Sequence, residues 1–420
     1  MRTRQNNAFG RDYDPIPAMP GGALKALIGG AVLAVLIVLL ALGGEPLFWK
    51  RYAASLVLPA SAASSIYQPR ELVPGGNEPP APRVVPELES LDGNSLEMAA
   101  AYAGAHHSQA LIVSRHDHIV FERYWQGTGF DTVTDAQSFT RVLAALAVGV
   151  AISHRLIGWP DEPLGTLLPR WRADARGAIT VRNLLQMSSG LTPPAATALP
   201  WGAFARQKFG TDLIGALMRE PLTGTPGTAR VEQAADSQLL ALVLERVTGQ
   251  RYAAYLSSVL WRRLGAADAW LWLDRPGGAA HADCCMLARQ GDWIRVGQLL
   301  VRDGNYRGSE VIRPGWVSLM RTPAPSDSAY GAYVRVAARV AGGSEPYAAR
   351  DLFVVDGGGG NRLWLVPSLQ LAVLRIATPE AADQSWDDTR IPNLVVRGAR
   401  DYLPPAAQPG ADVSALVPGH

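Results

Sequence analysis

The sequence predicts an α+β domain, in which an antiparallel sheet is flanked by helices and carries an inserted helical subdomain, preceded by one transmembrane helix. Three observations lead to this prediction. β-like runs occur at both ends of the domain, and helical patterns lie between them. The β-like runs are 110–125, 329–340, 351–356, 362–366 and 370–376, and the helical patterns are 138–154, 179–187, 233–248, 250–264, 285–303 and 312–321. Strands that come first and last, with helices in the middle, complete one sheet from distant segments. A run without any charged residue, from Ala26 to Gly44, precedes them all.

That uncharged run is long enough to cross a bilayer. Its nineteen residues span roughly 28 Å as a helix, about the thickness of the hydrocarbon core. A small excess of basic residues before the run favours a cytoplasmic N-terminus. We therefore expect a single-pass anchor over 23–45 in the inner membrane, with the lipid bilayer as partner of residues 26–44 and the domain facing the periplasm or outside. A cleaved signal peptide is the alternative, because Ala60-Ser61-Ala62 resembles a cleavage site.

Composition indicates the size of the core, the class of partner and the limits of the folded domain. Apolar residues make up 48% of the 420, which is ample for a core, and 39 basic residues nearly balance 37 acidic ones. This balance predicts no nucleic-acid partner. Residues rich in Pro, Gly, Asn and Ser mark the segments outside the domain. We predict an N-terminal tail over 1–22, a Pro/Gly-rich linker over 46–95, the folded domain over 96–404 and a C-terminal tail over 405–420.

The cysteines and histidines do not indicate a metal or a cofactor. Cys284 and Cys285 are the two cysteines, and they are adjacent. Because sequence neighbours rarely reach disulfide geometry, we predict two buried free thiols. His116 and His118 lie at the tip of a predicted hairpin without a third ligand nearby.

Five segments resemble, in order, the characteristic blocks of the β-lactamase-related serine hydrolases, in the branch that includes 6-aminohexanoate-dimer hydrolase. They are QSFTRVLAALAVGVAISHRLIG and the stretches 179–191, 223–256, 284–317 and 351–376. The resemblance implies the fold of β-lactamases and transpeptidases. It also implies a serine that attacks an amide or ester of a small-molecule or peptide-like substrate and forms an acyl-enzyme, without a cofactor.

Carried over residue by residue, the resemblance keeps one motif member and replaces three. The nucleophilic serine falls on Ser138, while the lysine three residues later falls on Arg141 and the motif tyrosine on Glu232. The basic residue of the third motif falls on Gly358, which is followed by Gly359, Gly360 and Asn361.

These replacements change the proton chemistry that we expect. Arginine stays protonated and cannot act as a base, whereas Glu232 is a carboxylate that can accept the serine proton and pair with Arg141. We expect the amides of Ser138 and Asn361 to form the oxyanion hole, with the glycines letting substrate approach closely. A simple turn is the other interpretation of the glycines. A catalytically inactive relative, using the cleft for binding or scaffolding at the cell envelope, is the alternative function.

Overall fold

The computed structural model describes residues 29–30 and 44–402, apart from 198, 337, 379–382 and 384. Most of the predicted anchor and both predicted tails lie outside these residues. No helix in the described ranges is long and apolar enough to cross a membrane.

Two kinds of element make up the domain. Among the described residues the strands are β1 (Arg70–Val73), β2 (Ser108–Arg115), β3 (His118–Tyr124), β4 (Val133–Asp135), β5 (Ala269–Trp272), β6 (Met286–Arg289), β7 (Asn305–Tyr306), β8 (Ser309–Glu310), β9 (Phe353–Asp356), β10 (Arg362–Val366) and β11 (Leu371–Ala377). The α-helices are α1 (Pro46–Val57), α2 (Gly93–Ala105), α3 (Phe139–Ser153), α4 (Leu164–Leu167), α5 (Val181–Leu185), α6 (Ala203–Phe209), α7 (Leu213–Leu217), α8 (Ala234–Thr248), α9 (Tyr252–Leu256), α10 (Trp293–Val301), α11 (Trp316–Met320) and α12 (Arg390–Arg397).

The main sheet confirms the predicted α+β architecture. Its five strands are antiparallel in the order β3-β2-β11-β10-β9, so the two ends of the domain meet in one sheet. Helices α2 and α12 pack together on one face, and α10 packs on the other. The helical segments between β4 and β5 form the inserted part.

Two local predictions were wrong. The described residues of the predicted strand over 329–340 form only isolated bridges, such as the one between Tyr330 and Arg335. The predicted helix over 285–303 begins instead as strand β6, because this stretch pairs with both β5 and β4. Its helical part, α10, starts at Trp293.

A second sheet, with the order β1-β5-β6-β4, was not predicted and draws the N-terminal segment into the domain. Strand β1 pairs along its length with β5. Before it, α1 carries Arg51, which is only 2% exposed. Its guanidinium donates to the carbonyls of Gln68, Phe209, Gly210, Leu273 and Asp274 at 2.6–3.2 Å. The segment is therefore part of the folded structure rather than the flexible linker that its composition predicts.

Helix α3 runs through the centre of the core. Every residue from Val142 to Ala151 is buried, and the helix packs against α8. At its start, Phe139 lies against the ring of Trp293, with 5.1 Å between centroids. Burial on all sides holds this helix firmly and fixes the position of the residue that precedes it, Ser138.

Candidate active site

Ser138 lies at the N-terminus of α3 and next to the loop between β9 and β10. Its amide donates to the carbonyl of Gly357 at 2.9 Å. A β-carbon added at Gly358 would lie 3.1 Å from Ser138 Oγ. The loop therefore passes directly beside the serine hydroxyl, and Gly358 leaves room there that a side chain would fill.

The glycine cluster is a turn, which was one of its two interpretations. Residues 357–361 join β9 to β10, with the Gly357 amide donating to Asn361 O at 3.0 Å and the Asn361 amide donating to Gly358 O at 2.9 Å. Gly358, Gly359 and Gly360 have φ of 70°, 54° and 88°, a region that favours glycine. Asn361 precedes β10, and its side-chain oxygen accepts the Ala377 amide at 2.9 Å.

The loop changes the expected oxyanion hole. Both predicted donors, the amides of Ser138 and Asn361, already donate to carbonyls of the loop. An oxyanion needs donors that are free to point at it. In this structure the hole is closed, because the five-residue turn satisfies its own backbone groups.

Arg141 and Glu232 contact each other, as the sequence predicts. Arg141 Nη1 lies 2.8 Å from Glu232 Oε1, and Arg141 Nε donates to the carbonyl of Asp283 at 3.2 Å. The second oxygen of Glu232 lies 3.9 Å from Arg230. The side chain of Glu232 is 61% exposed and that of Arg141 is 14% exposed. The pair therefore lies at the mouth of the site, with its carboxylate in solvent.

The serine and this pair share a narrow cleft of about 50 Å³, in which Tyr330 and Tyr333 form part of the wall. The Tyr333 hydroxyl donates to Leu184 O at 2.9 Å. Burial raises the pKa of Tyr333 well above its usual value. No hydrogen bond joins Ser138 to Glu232 in the part of the chain that the structure describes. The expected base therefore does not contact the serine.

Ser138 and Arg141 also line a larger cavity of about 580 Å³. One wall comes from the N-terminal segment, where Tyr67 donates to Asp135 Oδ2 at 2.8 Å. Burial raises the pKa of Asp135. Burial also acts to raise the pKa of Asp283, but the hydrogen bond with His281 and the charge of Arg141 outweigh it, so this pKa is lowered. Lys208 completes the charged part of the lining.

Cys284 and Cys285 also line this cavity, and they form a disulfide. The prediction of free thiols was wrong, because Cys285 has φ of 71°, a left-handed conformation that accompanies the closure of the two neighbouring sulfurs. Ligand-type atoms of His281, Asp283 and Cys284 lie within 4.8 Å of one another. Metals bind the thiolate form of cysteine, so the disulfide removes Cys284 from this set.

Behind the cleft, three buried polar residues form a network that sequence reasoning missed. Gln233 Nε2 donates to Ser189 Oγ at 2.9 Å and to Asp236 Oδ1 at 3.0 Å. Burial raises the pKa of Asp236 to about 8, although hydrogen bonds from Ser189 oppose the shift. A single acid in the first turn of the apolar helix α8 was the available signal.

Lys208 was also missed, and the sequence contained a signal for it. The chain has three lysines, Lys25, Lys50 and Lys208, among 39 lysines and arginines. Nearly all the positive charge of the domain is therefore carried by arginine. The single lysine of residues 96–404, Lys208, lies on the cavity beside Ser138.

Comparison with known proteins assigns the fold. The family model described as Beta-lactamase matches residues 96–390. The 6-aminohexanoate-dimer hydrolase of Paenarthrobacter ureafaciens is 29% identical over 222 residues, which cover 50% of this chain and 56% of that protein. The chain thus spans about half the length of this curated relative.

Solved structures agree on the architecture. A Bacillus anthracis structure provisionally described as a 6-aminohexanoate-dimer hydrolase superposes with a TM-score of 0.67 at 16% identity, over 81% of this chain and 92% of that one. A family VIII carboxylesterase gives a TM-score of 0.57 at 15% identity, over 73% and 98%. At these identities the likeness shows the fold alone.

Proposed function

The chain belongs to the beta-lactamase family, and on that premise we propose that it is a serine hydrolase that cleaves an amide or ester through an acyl-enzyme on Ser138. One observation carries the proposal. Ser138 lies at the start of a fully packed helix and lines both the narrow cleft and the 580 Å³ cavity, where a substrate carbonyl can reach it.

We expect the chemistry to proceed at Ser138 in two stages, acylation and hydrolysis. Ser138 Oγ attacks the carbonyl carbon, its proton passes to Glu232, and Arg141 keeps that carboxylate at the cleft. The leaving amine or alcohol takes the proton as the acyl–serine ester forms, and water then hydrolyses the ester. The two amides must first turn away from Gly357 O and Gly358 O to bind the oxyanion. Three glycines with positive φ make this loop the part best able to do so.

A second candidate function is ligand binding without catalysis. The observation that favours it is the closed oxyanion hole, since both amides and both charges of the Arg141–Glu232 pair already have partners. A serine without free oxyanion donors or a contacting base is a poor nucleophile. The cleft would then serve as a binding surface.

Labelling with a fluorophosphonate separates the two. The hydrolase predicts that the wild-type protein is labelled and Ser138→Ala is not. Ser153→Ala, at the other end of the same helix, should be labelled like wild type. Glu232→Gln should slow labelling by about a hundredfold or more, the usual effect of losing a general base. A folded wild-type protein that resists labelling would reject the hydrolase in favour of binding.

We also propose that the uncharged run anchors the protein in the inner membrane, with the domain facing outward. Support comes from its length and from α1, which begins two residues after the run and is held to the domain by Arg51. Membrane fractions washed with high salt should retain the protein. Release by salt would reject the anchor, and activity of a cytoplasm-only reporter at the C-terminus would reject the orientation.

A further inference from the structure

Three side chains with metal-binding atoms lie together on the wall between two cavities. A second cavity of about 530 Å³ adjoins the one beside Ser138; Asp283 and Cys284 line both, and His281 lines the second. A ring nitrogen of His281, a carboxylate oxygen of Asp283 and the sulfur of Cys284 lie within 4.8 Å of one another. Ligand atoms on one zinc ion lie roughly 3–4 Å apart, because each is about 2.0–2.3 Å from the ion. Small side-chain movements therefore suffice to bring all three onto one ion.

The ring of His281 is buried but not fully satisfied. It stacks on Trp272 of β5 with 4.4 Å between centroids, and the side chain is 3% exposed. Its Nε2 has no hydrogen-bond partner among the described residues, and its Nδ1 lies 3.5 Å from Asp283 Oδ1, at the outer limit of a hydrogen bond. Because buried polar atoms are normally satisfied, this corner indicates a place for a further group. A cation between Nδ1 and the carboxylate would fill it.

Zinc is the ion that this set of ligands suits best. Sulfur, nitrogen and oxygen ligands together favour Zn²⁺, whereas Mg²⁺ takes oxygen ligands. The thiolate of Cys284 and the carboxylate of Asp283 balance the two charges of the ion. Arg141 and Lys208, which also line the boundary between the cavities, therefore face no net charge from bound zinc.

The disulfide controls whether Cys284 is available as a ligand. Cys284 is half-buried on the wall of both cavities, whereas Cys285 is 2% exposed. The thiolate of a dithiol reductant therefore attacks Cys284 Sγ, a mixed disulfide forms, and Cys285 leaves as the thiolate. The second thiol of the reductant then closes its own disulfide and releases Cys284. Two electrons and two protons pass from the dithiol to the two cysteines.

We propose that reduction of Cys284–Cys285 by a dithiol creates a zinc site whose ligands are His281, Asp283 and Cys284, with a water from the cavity in the fourth position. On binding, the thiol of Cys284 loses its proton to solvent. Three protein ligands and one open position are a usual arrangement for zinc. The site requires neither Ser138 nor hydrolysis, so it stands or falls separately from the proposed function.

Zinc titrations of the full chain in its two redox states test the proposal. The chain has two cysteines, so thiol-dependent binding must come from this pair. The protein is reduced with a dithiol, separated from it without air and titrated with Zn²⁺ against a chromophoric chelator. We expect a single zinc ion per reduced chain and an affinity at least about a hundredfold lower in the oxidised chain, since losing even an outer-shell partner costs roughly 10–100-fold. Equal affinity in the two states, or displacement of zinc by equimolar Mg²⁺, would overturn the proposal.

Two cysteine variants distinguish a metal site from a general effect of reduction. Cys285→Ser cannot form the disulfide and keeps Cys284, so it should bind zinc without reductant as tightly as the reduced wild type. Cys284→Ser lacks the ligand and should bind weakly in both conditions. Co²⁺ bound to Cys285→Ser should show a sulfur-to-cobalt charge-transfer absorption. Weak zinc binding by Cys285→Ser, or tight binding by Cys284→Ser, would contradict the assigned ligand.

The other two ligands are tested in the Cys285→Ser background. Adding His281→Gln or Asp283→Asn should each weaken zinc binding by at least about tenfold. His154→Gln, at an exposed histidine, is the matched control and should bind zinc like Cys285→Ser alone. Asp283 is only partly buried, so its variant gives a second measurement if loss of the buried imidazole prevents folding. Unchanged zinc affinity in either ligand variant would overturn the site.

Discussion

Two arginines connect parts of this molecule in different ways. Arg51, in helix α1 of the N-terminal segment, is 2% exposed and donates to five backbone carbonyls. Arg141, in the cleft pair with Glu232, donates to one carbonyl and to a carboxylate that is 61% exposed. The first arginine is bound by main-chain carbonyls alone, and the second by one carbonyl and a side chain that lies largely in solvent.

The two arginines therefore have different roles: Arg51 contributes to stability, and Arg141 controls the charge at the site. Burial lowers the pKa of Arg51 to about 10, while the charge of Asp274 opposes that shift. Removing this side chain leaves several buried carbonyls without a donor. The ion pair of Arg141 is partly screened by solvent, so losing it has a small effect on stability. Arg51 holds the N-terminal segment on the domain, and the Arg141–Glu232 pair sets the charge beside Ser138.

The largest expected effect on stability comes from removing the contacts of Arg51. Arg51→Met should lower the free energy of unfolding by roughly 3–5 kcal/mol, because buried carbonyls lose their donors. Arg83→Met, which removes an arginine that is half exposed and paired with Glu122, serves as the matched control and should lose less than about 1 kcal/mol. Urea denaturation measures both. Similar small losses in the two variants would break the comparison.

A second, intermediate effect comes from Asp236 behind the cleft. Its pKa is about 8 in the folded protein, whereas an unfolded aspartate titrates near pH 4. Between these values the folded state binds more protons than the unfolded state, so the free energy of unfolding falls as pH rises, by up to roughly 1.4 kcal/mol per pH unit. Asp236→Asn keeps an acceptor and should lose this dependence between about pH 5 and 8.

Denaturation at several pH values checks the Asp236 prediction. Asp131→Asn, at an exposed carboxylate, should retain the pH dependence of the wild type. If Asp236→Asn and wild type lose stability in parallel as pH rises, the buried carboxyl is not the group that responds.

The smallest expected effect is in the cleft pair itself. Complete burial of the ion pair would make single replacements cost about 3–5 kcal/mol. Because Glu232 is largely in solvent, we expect Arg141→Met and Glu232→Gln each to lower the free energy of unfolding by less than about 1 kcal/mol. A double-mutant cycle should give a coupling of similar small size. A coupling of several kcal/mol would mean that the pair contributes to stability as strongly as Arg51 does.

The sequence predicted the elements whose patterns are local. The predicted helix over 138–154 corresponds to α3, and the predicted strand over 362–366 to β10. Apolar periodicity and strand-forming residues suffice there, because these elements bury what their own patterns present. The local pattern gave the wrong prediction for the stretch that forms β6, since its strand form depends on partners in β4 and β5.

The candidate site was predictable in part. Opposite charges at Arg141 and Glu232 indicated their contact, although 91 residues separate them. Lys208 and Tyr67 lie outside the segments that carry the family resemblance, so no motif brought them to Ser138. Their place in the cavity comes from α6 and from an N-terminal segment whose composition resembles a linker.

The sequence by itself determined the α+β architecture, which follows from local periodicity, and it determined the family, the position of Ser138 and the replacement of the motif lysine by an arginine, which follow from the resemblance of five ordered segments to the family. Only the tertiary structure decided which groups are free to act. The amides of Ser138 and Asn361 are paired within the loop, Glu232 is in solvent, and Lys208 lies at the boundary of two cavities. Hydrogen-bond partners and exposure depend on elements that meet in space, and distant elements meet only when the whole core packs.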